Sequence, residues 1–197
     1  MKSSTSTQIL DVAQIMVQNR GYSAFSYADI SQYVGISTAS IHYHFPSKDD
    51  LVKNLVTRYT ETFVGKVKEI EKEANDPQKR LEKFVDLYRD GLKDSRLCLC
   101  GMLTADFAIL TPEIQSEIRV FFTVTEAWLA KLLEYGCKLN TWKCRYAYPV
   151  EAKIILSMLQ GLQLLARSGE ESCLIFEQIA GRFFEEKLAL KLWTVSA

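Results

Sequence analysis

Apolar side chains return every three or four residues through most of this chain, with polar ones between them. Ile9, Val12, Ala13, Met16 and Val17 keep the i, i+3, i+4, i+7, i+8 spacing of an amphipathic helix, which predicts a first helix over Thr5 to Arg20. Gly21 stops it, since glycine accepts a left-handed backbone without a Cβ clash. Ser26, with Asp29 three residues on, makes an N-cap pair for a second helix whose thin apolar face is Ala28, Ile30 and Val34. Gly35 breaks that helix. Ser37 caps a third, Thr38 to His44, and Pro46 prevents its continuation because proline lacks an amide donor. Tyr22, Phe25, Ile36, Ile41 and Phe45 are the candidate plugs of the small core between these helices.

The same period continues downstream. Leu51, Leu55, Tyr59, Phe63, Val67 and Ile70 mark the buried side of a long helix from Ser47 toward Glu73. Asp76 as cap and Pro77 at the first helical position restart the chain, followed by a stripe of Leu81, Phe84, Val85, Tyr88 and Leu92. A short helix is expected around Gly101 to Leu110. Thr111-Pro112-Glu113 then opens a long one, with Ile114, Ile118, Phe121, Phe122, Trp128, Leu129, Leu132 and Leu133 inside. Gly136 to Tyr148 is the least regular stretch, Pro149 restarts the chain, and a last helix runs from Cys173 to Leu190. The expected fold class is all-α with about nine helices. Residues 1–47 form a three-helix head with a helix-turn-helix, and residues 48–197 a helical regulatory and dimerisation body.

The run SYADISQYVGISTASIHYHFPSK, from Ser26 to Lys48, carries the functional expectation. Two short helices joined by a tight turn are the layout that lays a second helix in the DNA major groove. Small residues at the start of that helix permit close approach to base edges, and the methyls of Thr38 and Ala39 suit a thymine methyl. Ser40, His42, Tyr43 and His44 can reach phosphate oxygens, and Lys48, in the first turn of the next helix, is placed for another. Tyr43 has core packing as its alternative. Two histidines on one short helix make a poor metal site without a third ligand, so no metal is expected.

On Gly21-Tyr22-x-x-Phe25-Ser26, Ile30-Ser31-x-Tyr33-Val34-Gly35-Ile36-Ser37, Ser40-Ile41-His42-Tyr43-His44-Phe45 and Ser47-Lys48-x-x-Leu51, the chain resembles the TetR family of bacterial transcriptional regulators. The resemblance implies that Ser26, Ser37, Thr38, Ala39, Ser40, His42, Tyr43, His44 and Lys48 touch double-stranded DNA. It also implies a homodimer, a near-palindromic operator, and a small-molecule effector that releases a repressor from DNA. Phe63, Tyr88, Leu103, Phe107, Phe121, Trp128 and Met158 supply apolar surface for an effector cavity, although such stripes also serve as plain core. The segment Cys98-Leu99-Cys100-Gly101-Met102-Leu103 resembles one branch of the family, some of whose members sense electrophiles or oxidants through cysteine. Cys98 and Cys100 are therefore expected either to sense or to fill a helix start as small apolar side chains.

Net charge is zero, so the whole molecule exerts no general pull on a polyanion. The first fifty residues carry Lys2, Arg20 and Lys48 against Asp11, Asp29, Asp49 and Asp50, an unusually non-basic head for a DNA reader. Neither a signal peptide nor an apolar run of the roughly eighteen residues needed to span a bilayer is expected. Five cysteines without a disulfide-framework spacing favour a reducing, cytoplasmic setting. No cofactor motif and no nucleophile elbow or phosphate-cradling loop supports an enzyme. A helical adaptor that never binds DNA is the alternative function.

Ile154 to Ala166 contains no charged residue, and its apolar arc is wider than one packed face requires. Ile155, Met158, Leu159, Leu162 and Ala166, with Phe176, Ile179 and Phe183 of the last helix, are the expected two-fold interface. A fully buried core helix is the alternative.

Overall fold

A computed structural model describes residues 4–190 of the chain. The described residues form nine α-helices and one short 3₁₀ helix. They are α1 (Thr5–Arg20), α2 (Tyr27–Val34), α3 (Thr38–His44), α4 (Lys48–Glu73), α5 (Pro77–Lys93), α6 (Leu99–Ala105), α7 (Pro112–Lys138), α8 (Tyr148–Arg167) and α9 (Ser172–Leu188), with the 3₁₀ turn at Phe107–Ile109 between α6 and α7.

Local chemistry accounts for most of the ends. Ser4 caps α1 by accepting from the Thr7 amide. Ser26 and Asp29 satisfy each other's backbone amides at the start of α2. Ser47 and Asp50 do the same at α4: the Asp50 amide donates to Ser47 Oγ at 3.0 Å and the Ser47 amide to Asp50 Oδ2 at 3.2 Å. Asp76 caps α5 with Pro77 in its first turn. The expected helix over Gly101 to Leu110 is instead α6, beginning two residues earlier at Leu99, followed by the 3₁₀ turn. Asp106 ends α6, and its amide donates to the Leu103 carbonyl in a tightened last turn.

The chain divides into two compact units. The first holds described residues 4–63 and 98–122, so the head is accompanied there by the start of α4, by α6 and by the start of α7. Here α1 packs on α2, α3 and α6. Ile9, Ala13, Val17, Ile30 and Ile41 are wholly buried, and each Ile or Val contributes about 1.5–3 kcal/mol of apolar burial. An aromatic cluster of Tyr59, Phe63, Phe121 and Phe122 completes the unit, with Phe121 centred 5.3 to 5.4 Å from the other three rings.

The second unit holds described residues 64–97 and 123–190, in which α5, α8 and α9 pack pairwise. Phe84, Phe176, Phe184, Ile155 and Leu159 are wholly buried there. The amide of Gln163 donates to the Tyr88 carbonyl at 2.7 Å, which satisfies a buried polar side chain.

The packing corrects the interface expectation. Ile155, Leu159, Leu162, Ala166 and Phe176 are 0–4% exposed, so their side chains are spent on the core of this chain. The outward apolar positions are Leu164, Leu165, Leu174 and Ile179, with Met158 and Phe183 half-buried. A helix packed by two neighbours on one side and carrying leucines on the other has the wide apolar arc noted in the sequence.

Candidate nucleic-acid interface

The turn between α2 and α3 is fastened by its own backbone. Gly35 sits at φ 77°, ψ 34°, a left-handed conformation in which a side chain would be strained, and its amide donates to the Ser31 carbonyl at 2.9 Å. The Ile36 amide reaches the same carbonyl at 3.2 Å, and the Ser31 hydroxyl donates back to the Ile36 carbonyl at 2.5 Å. Ser37 then caps α3 by accepting from the Ser40 amide at 3.2 Å. Ile41 and Phe45 plug α3 into the head core.

The opposite side of α3 faces water. Ser37, Thr38, Ala39, His42 and Tyr43 are exposed, and Ser40 and His44 are half-buried. Tyr43 is 83% exposed, which excludes the core-aromatic alternative. His42 is held at an angle: Nδ1 lies 3.1 Å from the Pro46 carbonyl and its ring stands edge-on to Tyr27 at 4.7 Å. Ser26 is exposed, and its hydroxyl donates to Asp29 Oδ2 at 2.6 Å. Hydrogen bonds from the Ser26 side chain and backbone hold the Asp29 carboxyl below its usual range.

Lys48 opens α4, and its ammonium is held by the turn before α2. Its Nζ donates to the Phe25 carbonyl at 2.6 Å and lies over the rings of Phe25 and Tyr22, at 4.2 and 4.5 Å. Burial lowers its pKa, against the pull of Asp49, Asp106 and Asp29. In this structure Lys48 ties α4 to the turn before α2. Of the basic residues counted in the head, Lys2 lies outside the described residues, leaving Arg20 and Lys48.

Two head residues, Tyr27 and Tyr33, and Asp106 at the end of α6 were not singled out by the sequence reading. Tyr27 donates its hydroxyl to the carbonyls of Phe45 at 2.8 Å and Ser47 at 2.5 Å, which pins the chain just beyond α3. Tyr33, near the end of α2, is 71% exposed. Asp106 accepts from the Tyr22 amide at 3.1 Å and the Ser23 hydroxyl at 3.4 Å, fastening the α1–α2 turn to the end of α6. A tyrosine at the start or end of a motif helix was the available signal for the first two. Nothing local marks Asp106.

The remaining expected site residues fall as follows. Phe63, Leu103 and Phe121 are buried in the first unit, and Phe107 is half-buried there beneath the Arg119 guanidinium at 5.1 Å. Tyr88, buried, and Trp128, half-buried, both contact Phe84 in the second unit. Met158 is half-buried on α8. Cys98 and Cys100 are 5% and 0% exposed, and burial, then the neighbouring Cys98, drives the Cys100 thiol well above its ordinary range. That favours the packing role, because a buried thiol yields little nucleophilic thiolate. Among the described residues no group of three or more His, Cys, Asp or Glu side chains is placed to hold a metal ion, and no helix is long and apolar enough to cross a membrane.

Residues 9–55 match the family of bacterial regulatory proteins of the tetR type. The chain is 32% identical over 149 residues to the HTH-type transcriptional repressor KstR2 of Rhodococcus jostii (strain RHA1), covering 72% of this chain and 70% of that protein. A crystal structure of a TetR-family transcriptional regulator from Agrobacterium tumefaciens superposes with a TM-score of 0.88 at 32% identity, over 93% of this chain and 97% of that one. A TetR transcriptional regulator from Legionella pneumophila superposes with a TM-score of 0.81 at 33% identity, over 90% of this chain and 96% of that one.

Proposed function

This chain belongs to the tetR family of bacterial regulatory proteins, DNA-binding transcriptional regulators, and we propose that it is a repressor that reads a near-palindromic operator as a homodimer. The carrying observation is the open strip of α3. Thr38, Ala39, His42 and Tyr43 are exposed on a helix whose other side is locked into the head and whose two ends are both fastened. Thr38 and Ala39 meet base edges, while Tyr43, with Ser26, Ser37, Ser40 and His44, positions the helix on phosphates. Tyr33 joins the phosphate contacts. Lys48 supports the head through the Phe25 carbonyl, which takes one of the three N–H donors of its ammonium.

One head of this size reads few base pairs. Two heads on a two-fold axis read half-sites about one helical turn, or a multiple of it, apart. The outward face of α8 and α9, with Leu164, Leu165, Leu174 and Ile179 exposed and Met158 and Phe183 beside them, is the interface we assign to the second copy. The effector is a small apolar molecule, supported by the aromatic side chains around Phe63 and Phe121 in one unit and around Phe84 and Trp128 in the other. It acts by favouring a dimer geometry in which the two α3 helices no longer match successive major grooves.

Fluorescence anisotropy with duplexes from the gene's own upstream region tests the reading. Binding to a near-palindrome that survives competitor DNA is the expected result. Leu165→Glu is expected to yield a folded monomer by light scattering with lost operator affinity. Failure to bind any duplex, with the dimer intact, would return the adaptor alternative.

A further inference from the structure

Two thiols outside the DNA-reading head meet in the second unit. Cys137 lies in the last turn of α7 and Cys144 in the segment between α7 and α8, and their sulfurs are 3.2 Å apart. Both are half-buried, within reach of a small solute. Their approach is built by the fold. After α7 the chain turns back through Asn140, at φ 57°, and the Thr141 amide donates to the Gly136 carbonyl at 2.9 Å. Trp142 is 3% exposed and donates through Nε1 to the Leu133 carbonyl at 3.0 Å. Its ring lies so close to Gly136 that a Cβ there would stand 2.1 Å from Cζ2. Beyond Cys144, the amides of Arg145 and Tyr146 donate to the buried Glu151 carboxylate at 2.8 and 2.9 Å, and Lys187 of α9 pairs with its other oxygen at 2.8 Å. The returning segment is thus seated on both sides of Cys144, and the sulfur is held against Cys137.

We propose that Cys137 and Cys144 are a redox-active dithiol, which a peroxide converts to an intramolecular disulfide across the α7–α8 turn. One sulfur attacks a peroxide oxygen, the O–O bond breaks, and a sulfenic acid and one water form. The second sulfur then displaces that oxygen as a second water, so that two S–H protons and two electrons pass to one peroxide molecule as the S–S bond closes. Burial, followed by the hydrogen bond with Cys137, pushes the Cys144 thiol up to about 12. The two thiols share one hydrogen bond, so either sulfur can be oxidised first and the other then resolves it. Among the described residues no third metal-ligating side chain is grouped with the two thiols, so they form a pair rather than part of a metal cluster.

The test uses the full chain. Reduced protein is treated with hydrogen peroxide, quenched, unfolded, alkylated and mapped by mass spectrometry. All five cysteines are expected to be alkylated before treatment and three after it, with a peptide pair joining Cys137 to Cys144 and a mass lower by about 2 Da. Dithiothreitol should restore all five. Cys144→Ser should instead leave a sulfenic acid at Cys137 that a dimedone probe traps, and Cys137→Ser should abolish the crosslink. Protein unfolded in urea before oxidation should lose the selective pairing. Five alkylated cysteines after peroxide, a crosslink between chains, or overoxidation of Cys137 to sulfinic acid without the peptide pair would each overturn the proposal.

Discussion

Replacing Tyr27 by Phe deletes one oxygen atom and leaves the ring, including its edge-on contact with His42. That oxygen is the donor to both the Phe45 and the Ser47 carbonyl, at 2.8 and 2.5 Å. Burial, then Asp50 and Asp49, pushes the phenol up to about 12, so the donor persists across the physiological range. Removing a hydrogen bond of this kind costs about 0.5–1.5 kcal/mol. Water can replace the donor at the exposed Ser47 carbonyl, which places the expected loss near 1 kcal/mol rather than at the upper end. With a urea m-value of about 2 kcal/mol/M, the unfolding midpoint should fall by about 0.5 M at fixed protein concentration. The same tether holds the chain leaving α3. If each of two heads must be re-ordered on DNA at about 1 kcal/mol, operator affinity should fall roughly thirtyfold. Urea denaturation followed by circular dichroism, with anisotropy on the operator duplex, measures both. An unchanged midpoint and unchanged affinity would refute the reasoning, because they would mean that solvent serves these carbonyls as well as Tyr27 does.

Tyr43→Ala removes an exposed side chain, so the unfolding midpoint should stay within about 0.5 kcal/mol of the parent while operator affinity drops by roughly tenfold per head; a matching loss of stability would make Tyr43 structural instead. Since the described head residues offer only Arg20 and Lys48, and Lys48 is already engaged, log affinity against log salt should have a slope no steeper than about −4 for the dimer, and a slope near −8 would contradict it. For Glu151, burial pushes the carboxyl up, but Lys187 and the amides of Tyr146 and Arg145 outweigh it and the net shift is downward. The folded protein then binds this proton less readily than the unfolded chain, so its stabilisation is fully present above the ordinary value of 4.5 and is lost as pH falls through the lower folded value. Glu151→Gln should flatten that acid limb in pH-dependent melting curves, and an identical limb in the variant would count against the assignment. Gly136→Ala forces a Cβ into the Trp142 indole and should cost about 1–3 kcal/mol of stability, read by thermal melting together with the buried-tryptophan emission; a neutral result would show that the indole is not seated there.

The head was largely legible from residue order because its signals are local. Ser26 with Asp29, Gly35 in a left-handed turn, and Ser37 three residues before Ser40 each act within one helical turn, and α2 begins and ends, and α3 begins, where those signals place them. The side of α8 that turns inward had no such local marker. Leu159 and Leu165 belong to one apolar arc, yet one is wholly buried and the other 71% exposed, because α5 and α9 cover only part of that arc. Lys48 shows the same limit. Its position at a helix start was plain, but the carbonyl and two rings that hold its ammonium come from residues more than twenty positions earlier. Cys137 and Cys144 share no motif, and the seat of Trp142 against Gly136 together with the amides that Glu151 accepts beyond Cys144 brings their sulfurs together. Caps, turns and helical period act between near neighbours and so can be read from the order of residues. Burial, ion pairing and thiol contact depend on which distant segments return to the same place, and that is settled when the helices pack.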